Sequence, residues 1–264
     1  MMAKGSTHQS NEIVKCLYVG ASGSGKTGSL ASLVEDGYEL RILDMDNGLD
    51  YLMNHIKKYC PDRIDQVDYI SLRDRMKSDK LKGAKAAGSS RAYVEAIKFM
   101  DEWDDGTIPS EWGPNVVFVL DSLTLFGRAA FRWAEGMNPS SKDPRQWYGQ
   151  AQKSILDVLD LLTSEDFKAN VIVCSHIDMV EHEDGSVKGY ASSIGKALGP
   201  KIPAVFNTMI MAKSTRRGKE MRREIVTIPS EGVDLKNSSA GDLPQSLPLE
   251  TGMATIFKTL KGQA

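Results

Sequence analysis

Ile13-Val-Lys-Cys-Leu-Tyr-Val19, a short apolar run rich in β-branched and aromatic residues, leads directly into Gly20-Ala-Ser-Gly-Ser-Gly-Lys-Thr27. The run predicts a strand, the glycines a loop, and Lys26 the start of a helix. The loop satisfies Gly-x-x-x-x-Gly-Lys-[Ser/Thr] in the strand-to-helix setting that this pattern requires. Glycines let backbone N–H groups wrap a phosphate chain, and the helix N-terminus adds a favourable dipole. Lys26 can neutralise β and γ phosphates, and Thr27 can ligate Mg²⁺. Gly20, Ser22, Gly23, Ser24, Gly25, Lys26, Thr27 and Gly28 are therefore the candidate nucleotide-binding residues.

Working outward, the helix is expected to run to about Glu35 and to close at Asp36-Gly37, where glycine can adopt the left-handed conformation. A strand over 40–43 ends in Asp44-Met-Asp46, a short helix and a third strand near 66–70 follow, and 92–103 has helical spacing of Tyr93, Val94, Ile97 and Met100. The continuous apolar run Val116-Val-Phe-Val-Leu120 reads as a strand buried on both faces of a parallel sheet, with Asp121 at its carboxyl end. Residues 125–150 read as a long connection, after which Ile155, Leu156, Val158, Leu159 and Leu162 mark a helix. Val171-Ile-Val-Cys174 is another buried strand, ending in Ser175-His176. Residues 178–203, polar with four glycines, suggest a mobile loop plus a short helix. A hairpin with a basic tip, Arg216-Arg-Gly-Lys219, and an apolar helix over 253–260 complete the chain. This alternation implies an α/β fold with a mostly parallel central sheet, helices on its faces, a C-terminal β-hairpin extension and active groups at the strands' carboxyl ends.

Three acids and a histidine end those strands. Asp121 is placed to hold Mg²⁺ with Thr27. Because Ser122, not glutamate, follows it, the adjacent acid pair of many water-activating ATPases is absent and the base must lie elsewhere. Asp44 and Asp46 share the edge with the phosphate loop, so either one can orient a water or simply form a turn. His176 can sense a γ-phosphate or bond only within its own loop. Ser175-His-Ile-Asp178 lacks the Asn-Lys-x-Asp pattern of guanine recognition, which argues against a GTPase.

The chain has 264 residues, 26% charged and 41% hydrophobic, with a formal charge of -2. This composition excludes wholesale disorder, and no apolar stretch reaches the ~18 residues of a membrane span. The polar start MMAKGSTHQSNE, without an apolar signal core, leads to an expectation of cytoplasmic residence, with residues 1–12 flexible and 13–264 a single domain. Cys16, Cys60 and Cys174 are too scattered for a disulfide framework or a metal clip. The near-neutral total gives no general nucleic-acid footprint, so any such contact must come from local patches. The first candidate patch is Arg73, Arg75, Lys77, Lys80, Lys82, Lys85 and Arg91. The second is Arg128, Arg132 and Arg145 with Trp133, Trp147 and Tyr148. Each is a phosphate-tracking groove with stacking platforms, or a solvated surface over core aromatics.

The motif order, phosphate loop 20–27, strand to Asp46, strand to Asp121-Ser122 and strand to Ser175-His176, resembles the RecA-type P-loop ATPase core. More closely it is similar to phage-encoded RecA-like single-strand annealing ATPases of the Sak type, grouped with small AAA-like phage ATP-binding proteins. Gly195-Lys196 and Lys201-Ile-Pro203 also resemble that group, loosely. The resemblance spans about residues 12–230. It implies ATP and Mg²⁺ as ligands, single-stranded DNA as partner, a homo-oligomer, and residence in a host cytoplasm. It places Asp46 at the catalytic acid site, a glutamate in RecA, and His176 at the γ-phosphate sensor, usually a glutamine there. Segments 125–150 and 178–200 would face DNA, and Lys196 or Lys201 would reach a neighbour's nucleotide. The expectation is thus a RecA-like ATPase, slow because Asp46 is a methylene short, acting in recombination or annealing. A small-molecule kinase and a nucleotide-gated binding protein with little turnover are the alternatives.

Overall fold

A computed structural model describes residues 12–80, 83–86, 90–140, 143–218, 220–239 and 241–263. Residues 1–11, together with Lys82 and Lys219 of the expected basic clusters and the side chains of Lys85 and Arg217, lie outside the described residues.

In chain order the strands are β1 (Lys15–Gly20), β2 (Glu39–Asp44), β3 (Val67–Ser71), β4 (Met76–Asp79), β5 (Gly83–Ala86), β6 (Val116–Asp121), β7 (Asn170–Ser175), β8 (Ile177–Glu181), β9 (Val187–Ala191), β10 (Thr208–Arg217), β11 (Glu220–Val226) and β12 (Ser246–Pro248). The helices are α1 (Lys26–Ser29), α2 (Ala31–Glu35), α3 (Asp50–Tyr59), α4 (Ala92–Asp101), α5 (Leu123–Met137), α6 (Pro144–Thr163) and α7 (Gly252–Leu260). One eight-stranded sheet has the order β12-β11-β10-β1-β7-β6-β2-β3. From β3 to β10 all neighbours pair parallel, and β10-β11 and β11-β12 pair antiparallel. This is the expected α/β class, a mostly parallel sheet flanked by helices with antiparallel strands added from the C-terminal part of the chain.

The parallel strands are apolar along their length because both faces are covered. Alternate residues serve opposite sides. Cys16, Tyr18, Ile42, Val119 and Ile172 pack with Leu33, Ile56 and Phe257 of α2, α3 and α7. Leu17, Val19, Phe118, Leu120 and Val173 pack with Tyr93, Phe126 and Ile155 of α4, α5 and α6. The register brings the carboxyl ends of β1, β7, β6 and β2 to one edge, with Val19 beside Ser175, Asp121 beside Cys174 and Asp44 beside Asp121.

Three expectations need correction. The first helix is two short pieces, because the backbone tightens at Leu30, whose N–H bonds to Thr27 O at 3.3 Å. Residues 125–150 are not a long connection but most of the α5-α6 helical pair. Ser122, Phe126, Ala130 and Ala134 fall on one buried stripe, and Asp143-Pro144 starts α6 with a side-chain cap at 3.0 Å from Arg145 N. Residues 178–203, expected as a loop with a short helix, hold strands as well. They open with the β8-β9 hairpin and end in a 3-10 turn over Ile202–Val205.

Candidate functional site

Past the end of β1 the chain turns over the start of α1. Gly25 has φ +101, a conformation that favours glycine, and a Cβ there would lie 2.4 Å from Leu249 Cδ2. At Gly28 a Cβ would lie 2.5 Å from Tyr51 Cδ1. The missing side chains therefore let Leu249 and Tyr51 close on the loop from two sides. The resulting cleft of about 360 Å³ is lined by Ser22, Gly23, Gly25, Lys26, Thr27 and Gly28, and also by Asp46, Asp121 and His176. Gly20 stands behind the lining, where a Cβ would meet Ala212 O at 2.6 Å, and Ser24 is buried with its Oγ unpartnered among the described residues.

Lys26 turns back on its own loop, donating from Nζ to Gly20 O at 2.8 Å and Ala21 O at 3.1 Å. Burial lowers the pKa of its ammonium, an effect opposed by Asp121 and Asp46 nearby. Thr27 Oγ1 donates to Asp121 Oδ2 at 2.5 Å. Asp121 is buried, and desolvation raises its pKa to about 6. A hydroxyl and a carboxylate oxygen converging beside the phosphate loop fit Mg²⁺, a hard cation that takes most of its ligands from phosphates and water.

Asp44 and Asp46 have separate environments. Asp44 is buried and accepts from Asn47 N at 2.7 Å and Ser71 Oγ at 3.0 Å, so it closes the turn after β2. Asp46 lies in the cleft, where its Oδ1 accepts from Ser122 Oγ at 2.7 Å and its Oδ2 is 3.7 Å from His176 Nε2. Ser122, the residue standing where an acid pair would place glutamate, thus orients an acid from the neighbouring strand. Burial lowers the His176 pKa below the ordinary imidazole value, with the charge of Lys26 adding to the effect, so the ring is neutral at neutral pH.

A family model described as AAA domain matches residues 12–239. The chain belongs to the AAA domain family. Membership implies a nucleotide-binding P-loop domain. No curated protein matches the sequence. Among solved structures the chain is similar to a KaiC-like protein of the hyperthermophilic archaeon Pyrococcus horikoshii OT3, at 11% identity and TM-score 0.38 over 81% of this chain and 78% of that one. It is also similar to the RadB recombinase, at 15% identity and TM-score 0.42 over 81% of this chain and 79% of that one.

Tyr51, Arg223 and Leu249 also line the cleft and were not singled out from sequence. Tyr51 lies in α3, whose buried face is Leu52 and Ile56, so an aromatic residue off that apolar face was the available signal. Arg223 and Leu249 come from the far end of the chain, and only strand pairing brings them in.

Other expected residues lie elsewhere. Lys196 and Lys201 are exposed and do not line their own chain's cleft. Trp133 packs on Tyr93 with ring centroids 4.8 Å apart, and Trp147 packs on Phe131 at 6.2 Å, so both are half-buried against the core rather than free on the surface. Tyr148 leans on Phe131 at 4.6 Å and stays 38% exposed. Arg145 pairs with Asp143 at the start of α6. The three cysteines are free and buried, and burial pushes the Cys16 and Cys174 thiols up and out of reactive range. No helix among the described residues is long and apolar enough to cross a membrane.

Proposed function

We propose that this chain binds Mg-ATP in the cleft, hydrolyses it, and works as a homo-oligomer on single-stranded DNA in recombination or annealing. The observation that carries the nucleotide reading is convergence. Lys26 and Thr27, Asp46, Asp121 and His176 come from four separate stretches of chain, and their side chains line one cleft. Thr27 and Asp121 would hold Mg²⁺, which when bound screens phosphate charge and polarises the transferred phosphoryl group. Lys26 leaves its two carbonyls to meet the phosphates. Asp46, aimed by Ser122, accepts a proton from the attacking water. Neutral His176 donates to the γ-phosphate from the ring nitrogen that faces Asp46. Tyr51 and Leu249, on either side of the loop, offer apolar surfaces for the base.

The DNA part rests on the motif order and on the arginines of the β3-α4 segment and α5. The Sak-type annealing role, a phage origin and a cytoplasmic setting belong to the same proposal and rest on motif order alone.

The test is steady-state ATP hydrolysis and fluorescent-nucleotide binding with and without oligo-dT. Lys26→Ala is expected to lower turnover at least a hundredfold and to weaken nucleotide binding, and undiminished binding and turnover would remove the phosphate-loop assignment. Turnover indifferent to DNA, with phosphate passed to a small acceptor, would point instead to the kinase alternative. Tyr51→Ala is expected to raise the KM for ATP about tenfold at unchanged kcat, because an aromatic-base stack contributes about 1–3 kcal/mol to binding. A fall in kcat alone would place Tyr51 away from the base.

A further inference from the structure

A second cleft, on the Met45 side of the loop whose Asp46 lines the first, is lined by Arg73, Asp74, Met76, Leu125, Arg128 and Arg132 among others. It sets three arginines against one acid in a chain whose total charge is -2. The one acid, Asp74, is already engaged. Its Oδ1 accepts from Arg91 N at 2.8 Å and Ala92 N at 3.1 Å, capping α4, and its Oδ2 is 3.4 Å from Arg132 Nη1. Arg128 has no hydrogen bond or ion pair among the described residues, and its charge reaches His176. Arg128 and Arg132 are four residues apart on α5, so their Cα atoms are about 6 Å apart along the helix axis and the two side chains rise from one face. A row of cations bordered by the apolar Leu125 and Met76 matches a chain of phosphates better than a single compact anion.

Arg73 joins this cleft to the chemistry. It follows β3, and its guanidinium donates to Met45 O from Nε at 3.2 Å and to Asp46 O from Nη2. Its Nη1 has no partner among the described residues and remains for a ligand. The same guanidinium therefore grips the backbone that carries the Asp46 carboxylate and faces the arginine cleft.

We infer that this cleft holds successive phosphates of single-stranded DNA, and that Arg73 is a positioning residue through which occupied DNA fixes the Asp46 loop for hydrolysis. The inference rests on the proposed DNA-dependent ATPase. A phosphate on Nη1 locks the guanidinium plane, and with it the Met45 and Asp46 carbonyls. Because a displacement of about 1 Å at a reacting group can cost about a hundredfold in rate, locking the loop is expected to raise turnover roughly tenfold or more. Lysine at position 73 would keep the charge but lose the fork that grips two carbonyls while a third donor takes phosphate.

The experiment measures anisotropy of fluorescein-labelled oligo-dT across a salt series, with ATP hydrolysis at rising oligo-dT, for wild type, Arg128→Ala and Arg73→Lys. Arg128→Ala is expected to weaken binding and to make the logarithmic salt slope shallower by about 0.7, the value of one phosphate contact on a single strand. Arg73→Lys is expected to keep the wild-type salt slope and half-saturating DNA concentration while losing the rise in kcat, a split that a merely structural role would not produce. If wild type binds oligo-dT and both variants match it in slope and stimulation, the cleft assignment is overturned while the DNA reading stands. If wild type binds no oligo-dT at low salt, the DNA reading fails and the inference with it. If thymidine monophosphate alone gives full stimulation, the ligand is a small phosphate-bearing compound and the inference is overturned.

Discussion

Asp46→Asn is expected to leave Mg-ATP binding within a few-fold of wild type and to lower hydrolysis by about 10²–10⁴, the usual contribution of a positioned general base. The substitution keeps the shape of the side chain. An amide oxygen can still accept from Ser122 Oγ, now at 2.7 Å from Oδ1, so the loop stays in place. What is lost is the carboxylate that takes the proton. The cleft offers few replacements, because its lining holds only two acids, Asp46 and Asp121, and Asp121 is committed to Thr27. Asp44 is turned into its own backbone turn. Binding is read by a fluorescent ATP analogue and turnover by phosphate release. Turnover equal to wild type would exclude Asp46 as the water-activating acid.

Asp121→Asn is expected to act in opposite directions on stability and on activity. Burial raises the Asp121 pKa to about 6 from an ordinary 3.8, so between those values the folded chain holds a proton that the unfolded chain releases. Stability therefore falls as pH rises through about 4 to 6, and the cost of the buried charge, up to about 3 kcal/mol, persists at neutral pH. Asparagine removes that cost and can still accept from Thr27. The ligand-free variant should melt several degrees higher than wild type at pH 7.5 and close to wild type at pH 4. Its Mg²⁺-dependent tightening of ATP binding should disappear, and hydrolysis should fall at least a hundredfold. In wild type the same carboxyl group must lose its proton to hold a cation, so Mg-ATP binding near pH 6 should release protons. Calorimetry in buffers of different ionisation enthalpy reads that release, which Asp121→Asn should abolish. A lower melting temperature for the variant at pH 7.5, or unchanged proton release, would refute this account.

Much of the site was legible because its signals are local. The 20–27 loop combines glycines, a lysine and a threonine at fixed spacing between a strand and a helix, and each residue's part follows from chemistry within a few residues of chain. Asp121 and His176 were legible for a related reason. Uninterrupted apolar runs announce buried parallel strands, and a polar residue ending such a run sits at the functional edge. The α5-α6 pair was misread because polar and aromatic residues mask its stripe. Several buried positions of α5 are small, with Ala129, Ala130 and Ala134 taking places where leucines would have signalled a helix. The Asp143-Pro144 start of α6 was the overlooked cue.

Short-range chemistry along the chain thus sufficed for the phosphate loop, the core strands and the class of fold, since strand and helix periodicities and glycine turns are properties of neighbouring residues. Tertiary packing alone separated Asp46 from Asp44, through a serine 76 residues away in one case and backbone N–H groups in the other. It alone brought Tyr51 and Leu249 against the loop, packed two tryptophans half-buried against the core, and set Arg73 between an arginine cleft and the Asp46 carbonyl. These choices depend on sheet order and register, which join residues far apart in sequence and so leave no mark in any local pattern.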